Sequence, residues 1–253
     1  SPLQTAIQTP STAIAASATT IAVPSVTVQG AIGDLATELK KKWDIKGNAG
    51  TVAGTNFLGT TDDVDLIFKR NNFVSGLLTQ NNTSFGYRAL PVTDPATGVN
   101  NAALGTDSMS KNVSGNSNIA MGYQSLYANT SGSENTALGK QSLFKNTTAG
   151  DNTAVGFKSL FSNTTGTNNT SIGKESLFIN DTGSGNTATG VSALYKNVTG
   201  SNNTADGFEA LYNNLGINNV GLGSGALRNS STSDNNVAVG FQSLFNNTVS
   251  NNT

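Results

Sequence analysis

The sequence predicts an all-β fold, a parallel β-solenoid, because of a long internal repeat, its fixed glycines and its composition. A motif of the form N-T-A-h-G-x-x-S-L-F, in which h is usually aliphatic, recurs throughout residues 81–253. Thr, Asn and Gly are too frequent for helices. Stacking about ten coils at about 4.8 Å each predicts a rod about 48 Å long. The repeat glycines are mostly 17 residues apart: Gly86, Gly105, Gly122, Gly139, Gly156, Gly173, Gly190, Gly207, Gly223 and Gly240.

A leucine column is the predicted core of this β-roll. Four residues after each repeat glycine stands an apolar side chain, with Met109 as the one exception to Leu. A small residue, usually Ala, stands two residues before each glycine. Alternate strand residues share a face, so the small residues permit close backbone approach. The predicted core ladder is Leu126, Leu143, Leu160, Leu177, Leu194, Leu211 and Leu244, with Leu90 and Leu227 at the same position.

An asparagine stands four residues before each repeat glycine. Stacked Asn amides hydrogen-bond from one strand to the next in cross-β structures, and Asn tolerates the left-handed conformation of turns. The connection Asn163–Gly166, with its N-T-T-G sequence, is also typical of a turn. Each repeat is therefore interpreted as two short strands and two turns. The predicted turn Asn ladder is Asn118, Asn135, Asn152, Asn169, Asn186 and Asn203.

The aromatic residue that usually follows the core Leu predicts self-association. Phe144 and Phe161 are examples, and neighbouring strand residues point to opposite faces, so these rings need a partner outside the core. A 17-residue roll buries little apolar area, at about 25 cal/mol per Å², against the entropy of ordering the chain. We therefore expect three rolls to pack around an axis as a homotrimer. Dimers and single rolls stay open as alternatives.

The residue directly after each repeat glycine is the most variable, and Lys alternates there with aromatic side chains. This mixture indicates a stripe that is either exposed or packed laterally against a neighbouring chain. Exposed rings stack on sugars or on proteins. The candidate surface contacts are Tyr123, Phe157, Phe208 and Phe241.

Three segments precede the repeats. Residues 1–27 are interpreted as an extended attachment segment, and residues 28–42 as a short trimeric coiled coil. An amphipathic helix packed on a globular core is the alternative for the second segment. Residues 43–80 are interpreted as a β-rich adaptor, with a strand at Asp65–Lys69, and residues 81–253 as the solenoid shaft or head. The coiled-coil seam, spaced 4-3-4, is Val28, Ile32, Leu35 and Leu39.

The repeats resemble the head repeats of YadA-type trimeric adhesins, which form a left-handed parallel β-roll from somewhat shorter repeats. The block Asn56–Asn72 resembles modules of phage tail fibres and of surface proteins of Bacteroidota and their viruses. Together the resemblances cover residues 43–253 and imply a fibre that attaches to a host, which we expect to be non-catalytic and located on a virion surface. The short coiled coil and the adaptor suit docking of the N-terminal region on a particle or baseplate protein, and host attachment implies contact with a host glycan or protein. A bacterial trimeric surface adhesin is the alternative.

Composition argues against most other functions. The chain has no His and no Cys, so the usual acid–base and nucleophile pairs are missing, and we expect neither catalysis nor a cofactor or metal. A net charge of −1 without an evident basic patch argues against nucleic acid, and no apolar run is long enough for membrane insertion. Asp62, Asp63 and Asp65 are interpreted as a solvated turn, with a cation site or a glycosidase pair as alternatives. An ice-binding surface is a further alternative, and it would use Thr136, Thr153, Thr170, Thr187 and Thr204.

Overall fold

The computed structural model describes residues 62, 64–91 and 98–253, and these residues contain strands and turns without a helix. The predicted segment 1–27, the coiled coil 28–42 with its seam, and most of the adaptor lie outside the described residues. The described strands form a single sheet of twelve in sequence order. They are β1 (Leu66–Arg70), β2 (Phe73–Leu78), β3 (Asn82–Phe85), β4 (Asn101–Leu104), β5 (Ile119–Met121), β6 (Thr136–Leu138), β7 (Thr153–Val155), β8 (Thr170–Ile172), β9 (Thr187–Thr189), β10 (Thr204–Asp206), β11 (Val220–Leu222) and β12 (Val237–Val239).

An antiparallel hairpin covers the first edge of the solenoid. Strands β1 and β2 pair with each other, and β2 pairs antiparallel with β3. The hairpin turn places Asn71 and Asn72 at φ of 48° and 62°, a left-handed conformation that Asn tolerates. The predicted strand Asp65–Lys69 corresponds to β1, one residue further along. The hairpin gives hydrogen-bond partners to an edge that would otherwise present unpaired backbone groups.

From β3 to β12 the strands are parallel and stack in strict register. Each residue pairs with its equivalent one coil later, as in Thr136 with Thr153 and Ala137 with Ala154. The predicted parallel β-solenoid is thereby confirmed, with about nine turns of about 17 residues. Register is kept because each repeat places the same small residue toward the core, and a slip of one residue would turn that face outward.

Each coil contains one short strand, so the expectation of two strands per repeat is wrong. The segment around the core Leu does bond from coil to coil: the Leu126 N–H donates to the Ser142 carbonyl at 2.9 Å, and the Ala128 N–H to the Phe144 carbonyl at 3.1 Å. Its backbone is not extended, however, because Gln124 and Leu126 have φ of 55° and 49°. Alternating left-handed residues in this way bend the chain around the core, which a regular strand would not do.

The core lies between the strands and the Leu segments. The strand's central Ala is buried, and a β-carbon placed on the equivalent Gly221 would lie 3.2 Å from Cγ of Leu211. Leu126, Leu143, Leu160, Leu177, Leu194 and Leu211 have no exposed surface, whereas Leu244 in the last coil is 36% exposed. A single chain therefore buries its own leucine ladder, and this part of the core does not require a second chain.

Candidate functional site

The predicted Asn ladder lies inside the roll, at the start of each strand. The Oδ1 atom of Asn135 accepts hydrogen bonds from the backbone N–H and from Nδ2 of Asn152, at 3.2 and 3.3 Å. The Nδ2 group of Asn135 donates to the Ala149 carbonyl at 2.9 Å. The side chains are fully buried, so each amide replaces the water that its neighbours would otherwise need. The same arrangement holds at Asn118, Asn135, Asn152, Asn169 and Asn186, whereas Oδ1 of Asn203 accepts the backbone N–H of Asn219 at 2.9 Å while Nδ2 of Asn219 donates to Asn214.

A second buried Asn ladder runs parallel to the first, and sequence reasoning missed it. The Nδ2 group of Asn129 donates to Oδ1 of Asn112 at 2.7 Å and to the Gly132 carbonyl at 2.9 Å. That carbonyl also accepts from Nδ2 of Asn118 at 2.9 Å, so the two ladders meet at one acceptor in each coil. The sequence carries the signal, because an Asn stands three residues after nearly every core Leu, although the N-T-T-G pattern by itself indicates only a turn at that position.

The aromatic residues after the core Leu form a continuous stack along one chain. Ring centroids of successive coils are 5.0 to 5.2 Å apart, with planes inclined by 5° to 16°. The expectation that these rings need a partner in another chain is wrong, because each ring packs on the ring one coil away. Burial, followed by the charge of Glu175 and the neighbouring Tyr212, raises the pKa of Tyr195. This aromatic ladder consists of Tyr127, Phe144, Phe161, Phe178, Tyr195 and Tyr212.

The outer face of the parallel sheet carries a row of apolar side chains. We call the residues that stand directly before the repeat glycines the sheet column. Leu104, Met121 and Ile172 of this column are 46%, 44% and 42% exposed. Six successive members are apolar before the row is interrupted by Thr189 and Asp206. The column consists of Phe85, Leu104, Met121, Leu138, Val155, Ile172, Thr189, Asp206, Leu222 and Val239.

Two further columns flank the sheet column. On one side lie Ile119, Val237 and the five threonines from Thr136 to Thr204, on the same outer face. On the other side lie the residues that follow the glycines. The four candidate surface contacts in this second column are exposed: Tyr123, Phe157, Phe208 and Phe241.

Metal sites, pockets and membrane spans have geometries that can be compared with the described part of the chain. No group of three or more His, Cys, Asp or Glu side chains lies close enough there to hold a metal ion. The carboxylate cluster includes Asp63, which lies outside the described residues. A cavity of about 270 Å³ between the hairpin and the first coil is lined mainly by apolar residues, with Arg88 as its single charged group. Among the described residues, no helix is long and apolar enough to cross a membrane.

The described residues offer a regular surface along the stacked coils. Its distinctive geometry is an exposed apolar sheet on one side of the core and a stacked aromatic ladder on the Leu segment. No family model, curated protein or solved structure matches this chain.

Proposed function

We propose that this protein is a non-catalytic structural fibre segment, and that its chains pack as a homotrimer through the outer sheet face. The exposed sheet column carries this proposal. Parallel sheets are normally covered on both faces. Here the inner face packs on the Leu segments, while the outer face leaves Leu104, Met121 and Ile172 exposed to solvent. Contiguous exposed apolar surface of this kind marks an interface.

The size of the outer face fits a partner that is another copy of the chain. Nine coil steps of about 4.8 Å and five residues of about 3.3 Å give a face of about 43 by 16 Å, or about 700 Å². Standard protein interfaces bury about 800 Å² per partner. A second copy also presents its columns at the same spacing along the rod. The apolar rows of two copies therefore interdigitate without a change of register.

The interior supports a mechanical role. Each coil is joined to the next by strand hydrogen bonds, by bonds of the Leu segment and by two buried Asn ladders. Contacts of this kind are confined to neighbouring coils, so stability grows with each added coil, as in other solenoids. A rod built in this way transmits force along its axis and displays the same surface at each step. These are properties of a fibre.

Attachment to a host surface is the role that we propose for this fibre, with the virion surface as its location. The resemblance of the repeats to adhesin heads, and of Asn56–Asn72 to fibre modules, supports this role. The N-terminal region would then join the segment to a particle or baseplate protein. The exposed rings Tyr123, Phe157, Phe208 and Phe241 would lie beside the trimer contacts, where a receptor glycan or protein reaches them.

Light scattering combined with small-angle X-ray scattering on residues 1–253 tests the proposal. We expect the mass of three chains and the scattering profile of a rod. A monomeric mass at micromolar concentration would contradict the trimer. A trimer with a compact profile would contradict the fibre.

A further inference from the structure

The charges of the coils are segregated, although the net charge of the chain is only −1. All eight basic residues of 82–253 stand one to six residues after a repeat glycine. The turn that leads from the Leu segment to the next strand carries Glu134, Asp151, Asp181 and Asp234 and no basic residue. Positive charge therefore lies along the glycine edge and the Leu segment. Four carboxylates lie along the opposite, turn-side edge, whereas Asp107, Glu175 and Glu209 lie on the basic side.

Six of the basic residues are lysines, and together they form what we call the lysine face. Among the described residues, the two coil arginines form ion pairs, Arg88 with Asp107 and Arg228 with Glu209. The lysines form none there. The two arginine pairs are neutral overall. Along the glycine edge and the Leu segment, the remaining charges are the six lysines and the carboxylate of Glu175, which gives a local charge of +5. The lysine face consists of Lys111, Lys140, Lys145, Lys158, Lys174 and Lys196.

Five of the six lysines are held over aromatic rings, and Lys174 is the exception. The Nζ atom of Lys145 lies 5.7 Å from the centre of the Phe161 ring, and Nζ of Lys158 lies 5.5 Å from the same ring. Lys140 lies between Tyr123 and Phe157, at 5.7 and 5.9 Å. Cation–π attraction restricts where these five ammonium groups point. The array is therefore partly pre-organised for a ligand.

The spacing of the lysine face fits a linear polyanion. Lys140, Lys145, Lys158, Lys174 and Lys196 lie on four successive coils, which span about 14 Å along the rod. Exposed positive charges at this density attract a chain that carries negative charge at regular intervals. Gln124 and Gln141 lie among them, joined by a 3.1 Å hydrogen bond, and offer amide groups to hydroxyls. The exposed Tyr123 and Phe157 provide apolar ring surface beside Lys140.

We propose that the lysine face binds an acidic polysaccharide, sulfated or carboxylated, along the axis of the rod. Single-stranded nucleic acid is a poorer fit, because the rings of the aromatic ladder stack on each other and Lys140 lies over the rings of Tyr123 and Phe157, so few ring faces are left for a base. The alternative ligand of opposite charge is a second copy of this chain, which would dock its acidic turn edge on the lysines. The inference rests on the proposed attachment function, and it names the chemical class of the receptor.

Binding to immobilised dextran sulfate, compared with neutral dextran at 50 mM and 500 mM salt, tests the inference. We expect dextran sulfate alone to bind, and high salt to weaken the binding strongly. The double variant Lys145→Gln with Lys174→Gln should lose affinity at least tenfold. The matched control, Lys69→Gln with Arg70→Gln, removes the same charge from the hairpin and should lose less than twofold.

Several outcomes would overturn the inference. They are no retention on dextran sulfate at 50 mM salt, equal losses in the two double variants, or equal binding of a single-stranded DNA of the same charge. Light scattering on the same samples separates this inference from the fibre proposal. If the Lys variant lost its trimeric mass, the lysines would be assigned to chain–chain contact instead. If the trimer stayed intact without dextran sulfate binding, the receptor class alone would be wrong.

Discussion

The β-carbon that Gly122 lacks would stand 2.6 Å from the carbonyl oxygen of Gly139, one coil further along the rod. Gly122 also has φ of +136°, a conformation that side chains other than Gly rarely adopt. The repeat glycine is therefore required twice, for backbone conformation and for close approach. Gly240 separates the two requirements, because its φ is +116° and nothing lies within 4 Å of its missing β-carbon.

Substitution of these two glycines should have different costs. Gly122→Ala should lower the free energy of unfolding by about 3 kcal/mol or more, because strained backbone and overpacking add together. Gly240→Ala, the matched control, should cost about 1 to 2 kcal/mol, which is the strain of the backbone conformation alone. Urea denaturation followed by circular dichroism measures both. Equal losses in the two variants would show that close approach between coils contributes nothing.

The buried Asn ladder predicts a pH-dependent variant. Asn152→Asp removes the Nδ2 donor that reaches the Gly166 carbonyl at 2.9 Å and places a carboxyl in a fully buried position. Burial disfavours the charged form, so the folded-state pKa of the new Asp should rise above its ordinary value of about 3.9. The unfolded chain then ionises more readily than the folded chain. The loss of stability should be about 3 kcal/mol or more at pH 7 and should shrink as the pH falls through the raised pKa.

Urea denaturation at pH 7 and at pH 4.5 measures this dependence. The control is Asn168→Asp, whose side chain is exposed next to the ladder and should change stability by less than about 0.5 kcal/mol. An Asn152→Asp variant as stable as the parent at pH 7 would mean that the ladder hydrogen bonds do not stabilise the roll.

The aromatic ladder predicts coupling between neighbouring rings alone. Phe144 and Phe161 stack at 5.1 Å, whereas Phe144 and Phe178 are separated by the intervening ring. A double-mutant cycle with Phe144→Ala and Phe161→Ala should give a coupling energy of about 0.5 to 1.5 kcal/mol. The cycle with Phe144→Ala and Phe178→Ala should give a value near zero. Equal coupling in both cycles would contradict nearest-neighbour stacking.

The repeat predicts the solenoid because its period indicates the coil length and its small and apolar positions indicate the residues of the core. The 17-residue spacing of the glycines fixed the coil length, and Leu126 and its equivalents fixed the core. The left-handed conformation at Leu126 was not predictable, because a Leu at φ of 49° contradicts local preference and is imposed by the bend around the core. The apolar pattern around Leu126 predicts a second strand in each coil, but the left-handed conformation of this Leu prevents one.

The candidate surface was predicted less completely. Alternation predicts correctly that Phe144 points away from the core, but it does not show whether a ring meets a second chain or its own neighbour. The 17-residue period decides this, because equivalent rings one coil apart are at stacking distance. The sheet column was visible as the aliphatic position of the motif. Its exposure follows from the position of the Leu segments, which cover the opposite face of the sheet, and the motif does not show that position.

Sedimentation equilibrium on two substitutions in the sheet column tests the central claim most directly. Asp206 interrupts the apolar column, and in a trimer formed through this face three such carboxylates approach one another. Asp206→Leu should therefore strengthen self-association, and Ile172→Asp should weaken it by tenfold or more, while Thr165→Asp on the exposed turn should leave it unchanged. A trimer formed through the sheet column predicts these opposite shifts in the association constants of Asp206→Leu and Ile172→Asp. A parent protein that is monomeric, or a mass that responds to Thr165→Asp and not to Ile172→Asp, would contradict it.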